Sequence, residues 1–255
     1  MLWCLGMYAS GSTWVFNVAM QVAAVVVPRT PAVGRFVMAG HELDFLDDPT
    51  RMPVVKSHDT DEAAASELAR RADAVLVSIR DPRDCVTSLM LYQHYQFAAA
   101  LAAVERTARF CARFAAHPKA RLLRYEAGFI DDIATLDLIA ASFGGELPAT
   151  ERARIFAGSR RPAIEAFIAR LESLPTALRH EASGDVVDTA TQWHTHHADR
   201  TGEVGRWRTM LTQHQVSAIE RSMRDWMATF GYRTQAAPYA LTIGSLSVVQ
   251  SPYRG

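Results

Sequence analysis

Leu2-Trp3-Cys4-Leu5-Gly6-Met7, followed directly by Tyr8-Ala9-Ser10-Gly11-Ser12-Thr13-Trp14, is the stretch that decides the fold. The first six residues form an apolar run of strand length, and the turn after it is short and rich in Gly and Ser. Residues 13–26 then read as a helix. A strand that passes at once into a helix is the first half of a crossover unit, the connection that parallel strands need. Downstream the alternation continues. Residues 36–39 and 54–56 read as short strands, 61–71 as a helix with acidic residues at its start, and 74–79 as a strand. Val75, Leu76, Val77 and Ile79 are apolar on both faces, as a strand buried between two helical layers requires. Arg80-Asp81-Pro82 makes a turn into a long helical region from about residue 84 to 116, which Pro118 ends. Residues 121–125 read as another strand, with a further helix beginning near Asp131. Residues 151–177 are helical with interruptions at Gly158 and Pro162, and 183–206 show no clear period. Val216, Ile219, Met223, Trp226 and Met227 give a final amphipathic helix over 213–230. The tail after Pro238 reads equally well as a strand or an irregular wrap. The pattern predicts a single α/β domain over residues 1–255, with a central parallel sheet of about four or five strands flanked by helices.

Composition narrows the function. Lys plus Arg equals Asp plus Glu at 27 each, which argues against nucleic acid or an anionic membrane as partner, since both call for a basic surface. A local basic pocket for one small anion remains compatible with that balance. Three cysteines, Cys4, Cys85 and Cys111, are an odd number without close pairing and suit a reducing compartment. Met1 to Ala9 lacks the basic and apolar regions of a signal peptide, and the apolar run 15–27 is too short to span a bilayer. A cytoplasmic protein is expected.

The opening turn carries chemistry as well as topology. Glycine allows a tight turn, successive N–H groups can converge on an anion, and the helix N-terminus adds positive potential. Ser10, Ser12 and Thr13 offer hydroxyl donors. Gly6 and Gly11 keep the spacing of a phosphate-binding loop, but Ser12 stands where a nucleotide kinase needs its lysine, which counts against a P-loop kinase or ATPase. The turn also serves as an ordinary strand-to-helix connection. With it the expected fold becomes a P-loop-type three-layer sandwich.

Three further segments bear polar groups at strand ends. In Val54-Val55-Lys56-Ser57-His58, residues two apart share a face, so Lys56 and His58 can address one pocket. His is the side chain best matched to a general base near neutral pH, and a cation nearby offsets charge on a leaving phosphate. A solvated loop after a short strand explains them equally. Arg80 leaves the carboxyl end of a buried strand, where open α/β sheets place ligands. Its guanidinium fork suits a phosphate dianion, and Ser88 in the following helix can add a bond. The competing reading pairs Arg80 with Asp81 or Asp84 in a surface salt bridge. Arg200-Thr201-Gly202-Glu203-Val204-Gly205-Arg206-Trp207 is a Gly-containing loop before a helix.

Taken in order, these segments resemble the PAPS-dependent sulfotransferase family in its bacterial form. PAPS is 3′-phosphoadenylyl sulfate. Ser10-Gly11-Ser12-Thr13-Trp14 is similar to the family's first loop, Lys56-x-His58 to its Lys-x-His step, and Arg80-x-Pro82-x-Asp84 with Ser88 eight residues on to its 3′-phosphate motif. The 200–207 segment is similar to its late Arg-Lys-Gly loop, and Leu122-Leu123-Arg124-Tyr125-Glu126 to a strand ending in Tyr-Glu. The resemblance implies that Ser10, Gly11, Ser12 and Thr13 hold the 5′-phosphosulfate and that Trp14 and Tyr125 lie near adenine. It implies further that Arg80, Ser88, Arg200, Thr201 and Gly202 hold the 3′-phosphate, and that Trp207 anchors the late loop. His58 would be the base and Lys56 a cation at the leaving phosphate. A sulfuryl group would pass to a hydroxyl or amine of a small-molecule acceptor, leaving adenosine 3′,5′-bisphosphate (PAP), with no metal required. The chain departs from the family at Ala9, where a basic residue is usual, and at Thr201, where lysine is usual. The Ala9 departure keeps open a PAPS- or PAP-binding module impaired in catalysis. Lys56, Arg29 and Arg35 are the candidates to compensate.

Trp193-His194-Thr195-His196-His197 invites a metal, but His-x-His supplies two ligands where three or four are needed. No Cys pair or helical His-x-x-x-His adds to it. These histidines, with His94, His41 and Glu42, are expected no closer to the chemistry than the acceptor cleft.

Overall fold

The computed structural model describes residues 1–180, 184–198 and 202–235. Five strands form one parallel sheet: β1 (Leu2–Gly6), β2 (Ala32–Phe36), β3 (Met52–Ser57), β4 (Ala74–Ile79) and β5 (Ala120–Arg124), in the order β2-β3-β1-β4-β5. The helices between and after them are α1 (Ser12–Val26), α2 (Glu62–Arg71), α3 (Pro82–Tyr92), α4 (Phe97–Ala115), α5 (Ala134–Ser142), α6 (Ala149–Gly158), α7 (Arg161–Ile168), α8 (Trp207–Met210), α9 (Gln213–Ser222) and α10 (Arg224–Thr229).

Side chains alternate across the sheet and feed two cores. Trp3 and Leu5 join Val55, Val75 and Val77 on the face covered by α2, α3, α4, α9 and α10. Leu2 and Cys4 join Val54, Leu76 and Leu123 on the face covered by α1, α5 and α6. This is the three-layer arrangement that the doubly apolar strands call for. Leu2, Leu5 and Leu76 are fully buried, so truncating any one to Ala should cost about 2–5 kcal/mol.

Register fixes the functional edge. β1 is central, with Leu2 opposite both Val54 of β3 and Ala74 of β4, and Gly6 opposite Ser78. Because every pairing in this sheet is parallel, the carboxyl ends of β3, β1 and β4 emerge side by side.

Four details differ from the sequence reading. β2 begins at Ala32, four residues before the apolar run at 36–39. It is a half-buried edge strand whose Gly34 lies against α1, where a Cβ would come within 2.6 Å of Phe16 Cζ. The long helix predicted over 84–116 is two helices, broken at 93–96, where His94 takes a left-handed φ of 54°. No Gly or Pro marks that break. The final helix divides at Met223. Where the stretch read as helical ends and the stretch of no clear period begins, β6 (Ala177–Arg179) and β7 (Val186–Asp188) form a small antiparallel hairpin. Three-residue strands are too short to show alternation. The C-terminal tail and Arg200 and Thr201 lie outside the described residues.

Candidate functional site

The loops after β1, β3 and β4 open into one cleft of about 1100 Å³. Its walls carry Gly11, Ser12, Thr13 and Trp14 from the first loop and helix, Lys56 and His58 from the end of β3, and Arg80 and Ser88 from beyond β4. Tyr125 and Gly202 also line it. Strands on either side of a central one send their connections apart, which is where open α/β sheets leave room for a ligand.

The β1–α1 junction is built around close contacts. A Cβ on Gly6 would lie 2.2 Å from Ser78 Oγ and 2.6 Å from Ser12 Cβ, so only glycine lets the turn pack against β4. Ala9 and Gly11 both take left-handed backbone conformations, with φ of 58° and 83°. Gly11 is the N-cap of α1; no side chain caps the helix, and its first turn holds no acidic residue. An uncapped N-terminus facing a cleft presents unsatisfied N–H groups and the positive end of the helix dipole. Ser10 departs from the role expected for its side chain. It is fully buried, donates its hydroxyl to Met7 O at 2.7 Å and lies 2.8 Å from Ser78 Oγ, holding the turn rather than lining the cleft.

The β4–α3 junction works differently. Asp81 caps α3 by accepting from Arg83 N at 2.9 Å, and Pro82 occupies the first turn. Asp81 also binds the Arg83 guanidinium through Oδ1 at 2.9 Å and Oδ2 at 2.6 Å. Arg80 is 3% exposed, so its ion pair with Asp84, Nη2 to Oδ2 at 3.9 Å, is long and buried and not the surface salt bridge considered above. Its Nη1 donates to Ala9 O at 3.1 Å and its Nη2 to Glu203 O at 2.9 Å, with the guanidinium 4.3 Å from the Tyr125 ring centroid. Arg80 thus touches the first turn, and the two junctions face one space.

Lys56 and His58 stand on the other side of β1, at the end of β3. Lys56 is 3% exposed, and burial pushes its pKa down to about 7. His58 Nδ1 lies 2.8 Å from Gly6 O. A carbonyl only accepts, so Nδ1 carries the proton and Nε2 keeps a free lone pair. Burial, followed by the charge on Lys56, pushes the imidazole down to about 3, so it is neutral at physiological pH. Tyr8 and Phe36 pack on it, with ring centroids 4.4 and 5.9 Å away.

Supporting groups set the remaining residues. Trp14 donates Nε1 to Ser159 O at 2.8 Å. A Cβ on Gly202 would come 2.7 Å from Tyr125 Oη, so the late loop sits directly on that ring. Asp84 tethers the loop by accepting from Gly205 N at 2.7 Å and Trp207 N at 3.1 Å, and Trp207 stacks under Arg83 at 4.0 Å. Burial raises the Asp84 carboxyl above its usual range. Glu126 accepts from Asp81 N at 2.7 Å and from the Tyr232 hydroxyl at 2.9 Å, fixing the Arg80 turn from behind.

Sequence reasoning missed Ser78, Glu126 and the tethering by Asp84. The signal for Ser78 was present, as the one polar residue within an otherwise apolar buried strand. Of the candidate compensating cations, Lys56 lines the cleft, whereas Arg29 and Arg35 do not. His94, His180, Asp185, His194, His196 and His197 also line it; His41 and Glu42 do not, and Glu42 Oε2 instead accepts from Met38 N and Ala39 N.

No protein-family model matches the sequence, and no curated protein matches it. Solved structures do. Mouse sulfotransferase SULT7A1 complexed with PAP superposes with a TM-score of 0.56 at 16% identity, covering 89% of this chain and 84% of that one. Retinol dehydratase in complex with retinol and PAP gives 0.55 at 14% identity, covering 89% and 80%. Retinol dehydratase with androsterone and inactive cofactor PAP gives 0.56 at 14%, covering 94% and 82%. The chain has the fold that these PAP-bound proteins share.

Proposed function

We propose that this protein is a PAPS-dependent sulfotransferase that moves the sulfuryl group to a hydroxyl or amine of a small-molecule acceptor and releases PAP. One observation carries the reading: an uncapped helix N-terminus, a buried Arg80, and the Lys56–His58 pair line the same cleft. The residues fit the donor. Backbone N–H groups at Gly11–Thr13 suit a 5′-phosphosulfate, and Arg80 with Ser88 suits a 3′-phosphate. When bound, PAPS supplies sulfur already activated by its bond to a phosphate oxygen.

His58 Nε2 takes the acceptor proton as the acceptor oxygen or nitrogen bonds to sulfur and the bond from sulfur to the 5′-phosphate oxygen breaks. The hydrogen bond to Gly6 O fixes the tautomer and the ring. An imidazole neutral at physiological pH is ready to accept, and a bound anion makes it more basic. Lys56 and the α1 N–H groups meet the charge left on the 5′-phosphate of PAP. Three buried free thiols, Cys4, Cys85 and Cys111, suit a cytoplasmic location.

The test is transfer from labelled PAPS to a panel of phenols, alcohols and amines. His58→Ala should cut the rate by about 10²–10⁴-fold while PAP affinity stays within twofold. Unchanged transfer would remove His58 from the base role. Ala9, lining the cleft with a methyl group, favours a second reading, a binding module without turnover. PAP binding by a wild-type protein that transfers to no acceptor would select it.

A further inference from the structure

The hairpin supplies something the His-x-His pattern lacks by itself. Val187 bridges to His194, so the chain doubles back and sets Asp185 against residues nine and eleven positions later. Asp185 Oδ2 lies 2.7 Å from His194 Nδ1 and 2.9 Å from His196 Nδ1. One ligand atom from each of the three lies within 4.8 Å of the others. The second carboxylate oxygen, Oδ1, accepts from Thr195 Oγ1 at 2.6 Å and from His196 N at 3.4 Å. That support orients Oδ2 toward the two imidazoles, in the way outer hydrogen bonds orient a ligating carboxylate.

From this we infer a metal site: Asp185, His194 and His196 bind one divalent transition-metal ion of the zinc class in the wall of the cleft. The donor set decides the class of ion. Two imidazole nitrogens and one carboxylate oxygen suit Zn²⁺, Co²⁺ or Ni²⁺ and are poor for Ca²⁺ or Mg²⁺, which take oxygen ligands. At metal–ligand distances of about 2.0–2.2 Å, the three groups need only separate slightly from their present hydrogen-bonded contact. Three protein ligands leave a tetrahedral ion one open position, and the site opens to the cleft. His197 is held apart from ligation by its own bond, accepting at Nδ1 from His194 N at 3.1 Å. Burial keeps it neutral.

The inference stands apart from the sulfotransfer reading and is tested without it. Tag-free full-length protein, stripped with chelator, is titrated calorimetrically with Zn²⁺, and with Co²⁺ followed by its visible absorption. One ion per chain is expected, with Co²⁺ bands of a low-coordinate nitrogen–oxygen site. Asp185→Asn and the His194→Ala/His196→Ala double variant should each weaken Zn²⁺ at least tenfold, with helical content unchanged by circular dichroism. Wild-type protein that takes up no stoichiometric ion, or that binds no more tightly than the double variant, overturns the site. A parallel PAP titration of the same samples reports on the nucleotide separately, so neither failure can be mistaken for the other.

Discussion

β1–α1 and β4–α3 are the same topological device, a parallel strand turning directly into a helix at the functional edge, yet they are finished in opposite ways. At the first, the cap is Gly11 in a left-handed conformation, with no capping side chain and no acid in the opening turn. At the second, Asp81 caps the helix and Asp84 sits in its first turn. The first therefore keeps its N–H groups and helix dipole available to an anion. The second has spent them internally and offers a guanidinium instead. Arg80 depends on that closure: with Asp81 committed to the helix cap and to Arg83, and Asp84 committed to Gly205 and Trp207, its ion pair with Asp84 is held at 3.9 Å. Two copies of one motif thus provide two unlike grips, one of backbone and one of side chain.

The sharpest way to break that contrast is to give the first junction the finish of the second. Gly11→Asp would place a carboxylate at the proposed 5′-phosphate site. A like charge costs several kcal/mol, so PAP affinity should fall by about 1000-fold or more, read by calorimetry. A thermal melt separates this loss from the strain of a side chain at φ 83°. Binding that survives would mean that α1 does not receive the phosphate.

A smaller effect is expected at the second junction. Arg80→Met removes about two charge-assisted hydrogen bonds of roughly 1.5 kcal/mol each. PAP should bind about 100-fold more weakly, whereas adenosine 5′-monophosphate, lacking the 3′-phosphate, should bind as before. Equal losses for both nucleotides would assign Arg80 to the turn alone, through its bond to Ala9 O.

How far these junctions were legible depends on where their signals lie. The first was plain because an apolar run, two spaced glycines and a helix occur in sequence order. The second was plain because Arg80 follows a strand apolar on both faces. Neither Ser78 nor Glu126 could be given a role from sequence, since each acts on a turn that is distant along the chain. Ser10 was assigned to the ligand by its neighbours, while its hydroxyl is used by Met7 O and Ser78. Asp185 was hidden for another reason. It joins His194 and His196 only through a hairpin of three-residue strands, and so short a pairing leaves no period to read. β2 escaped because an edge strand with half-buried residues and a glycine shows little of the β pattern.

The least effect is expected from pH, and it isolates Lys56 from the two grips. Backbone N–H groups and a guanidinium do not titrate from pH 7 to 9, and His58, pushed down to about 3, is already neutral. Lys56, lowered to about 7 by burial, loses its charge as pH rises through that value. A bound anion raises its pKa, so PAP binding takes up a proton and must weaken with rising pH. The decline from pH 7 to 9 should be no more than about tenfold, the value of one pKa unit, and Lys56→Met should flatten it. A slope that persists in the variant would place the titrating group elsewhere.

Calorimetric titration of the wild-type protein with PAP and with adenosine 5′-monophosphate asks most directly whether both junctions hold a single nucleotide. The expected result is one PAP per chain, bound about 100-fold more tightly than the monophosphate, matching the two charge-assisted hydrogen bonds assigned to Arg80. Equal affinities, or no binding of PAP, would contradict it.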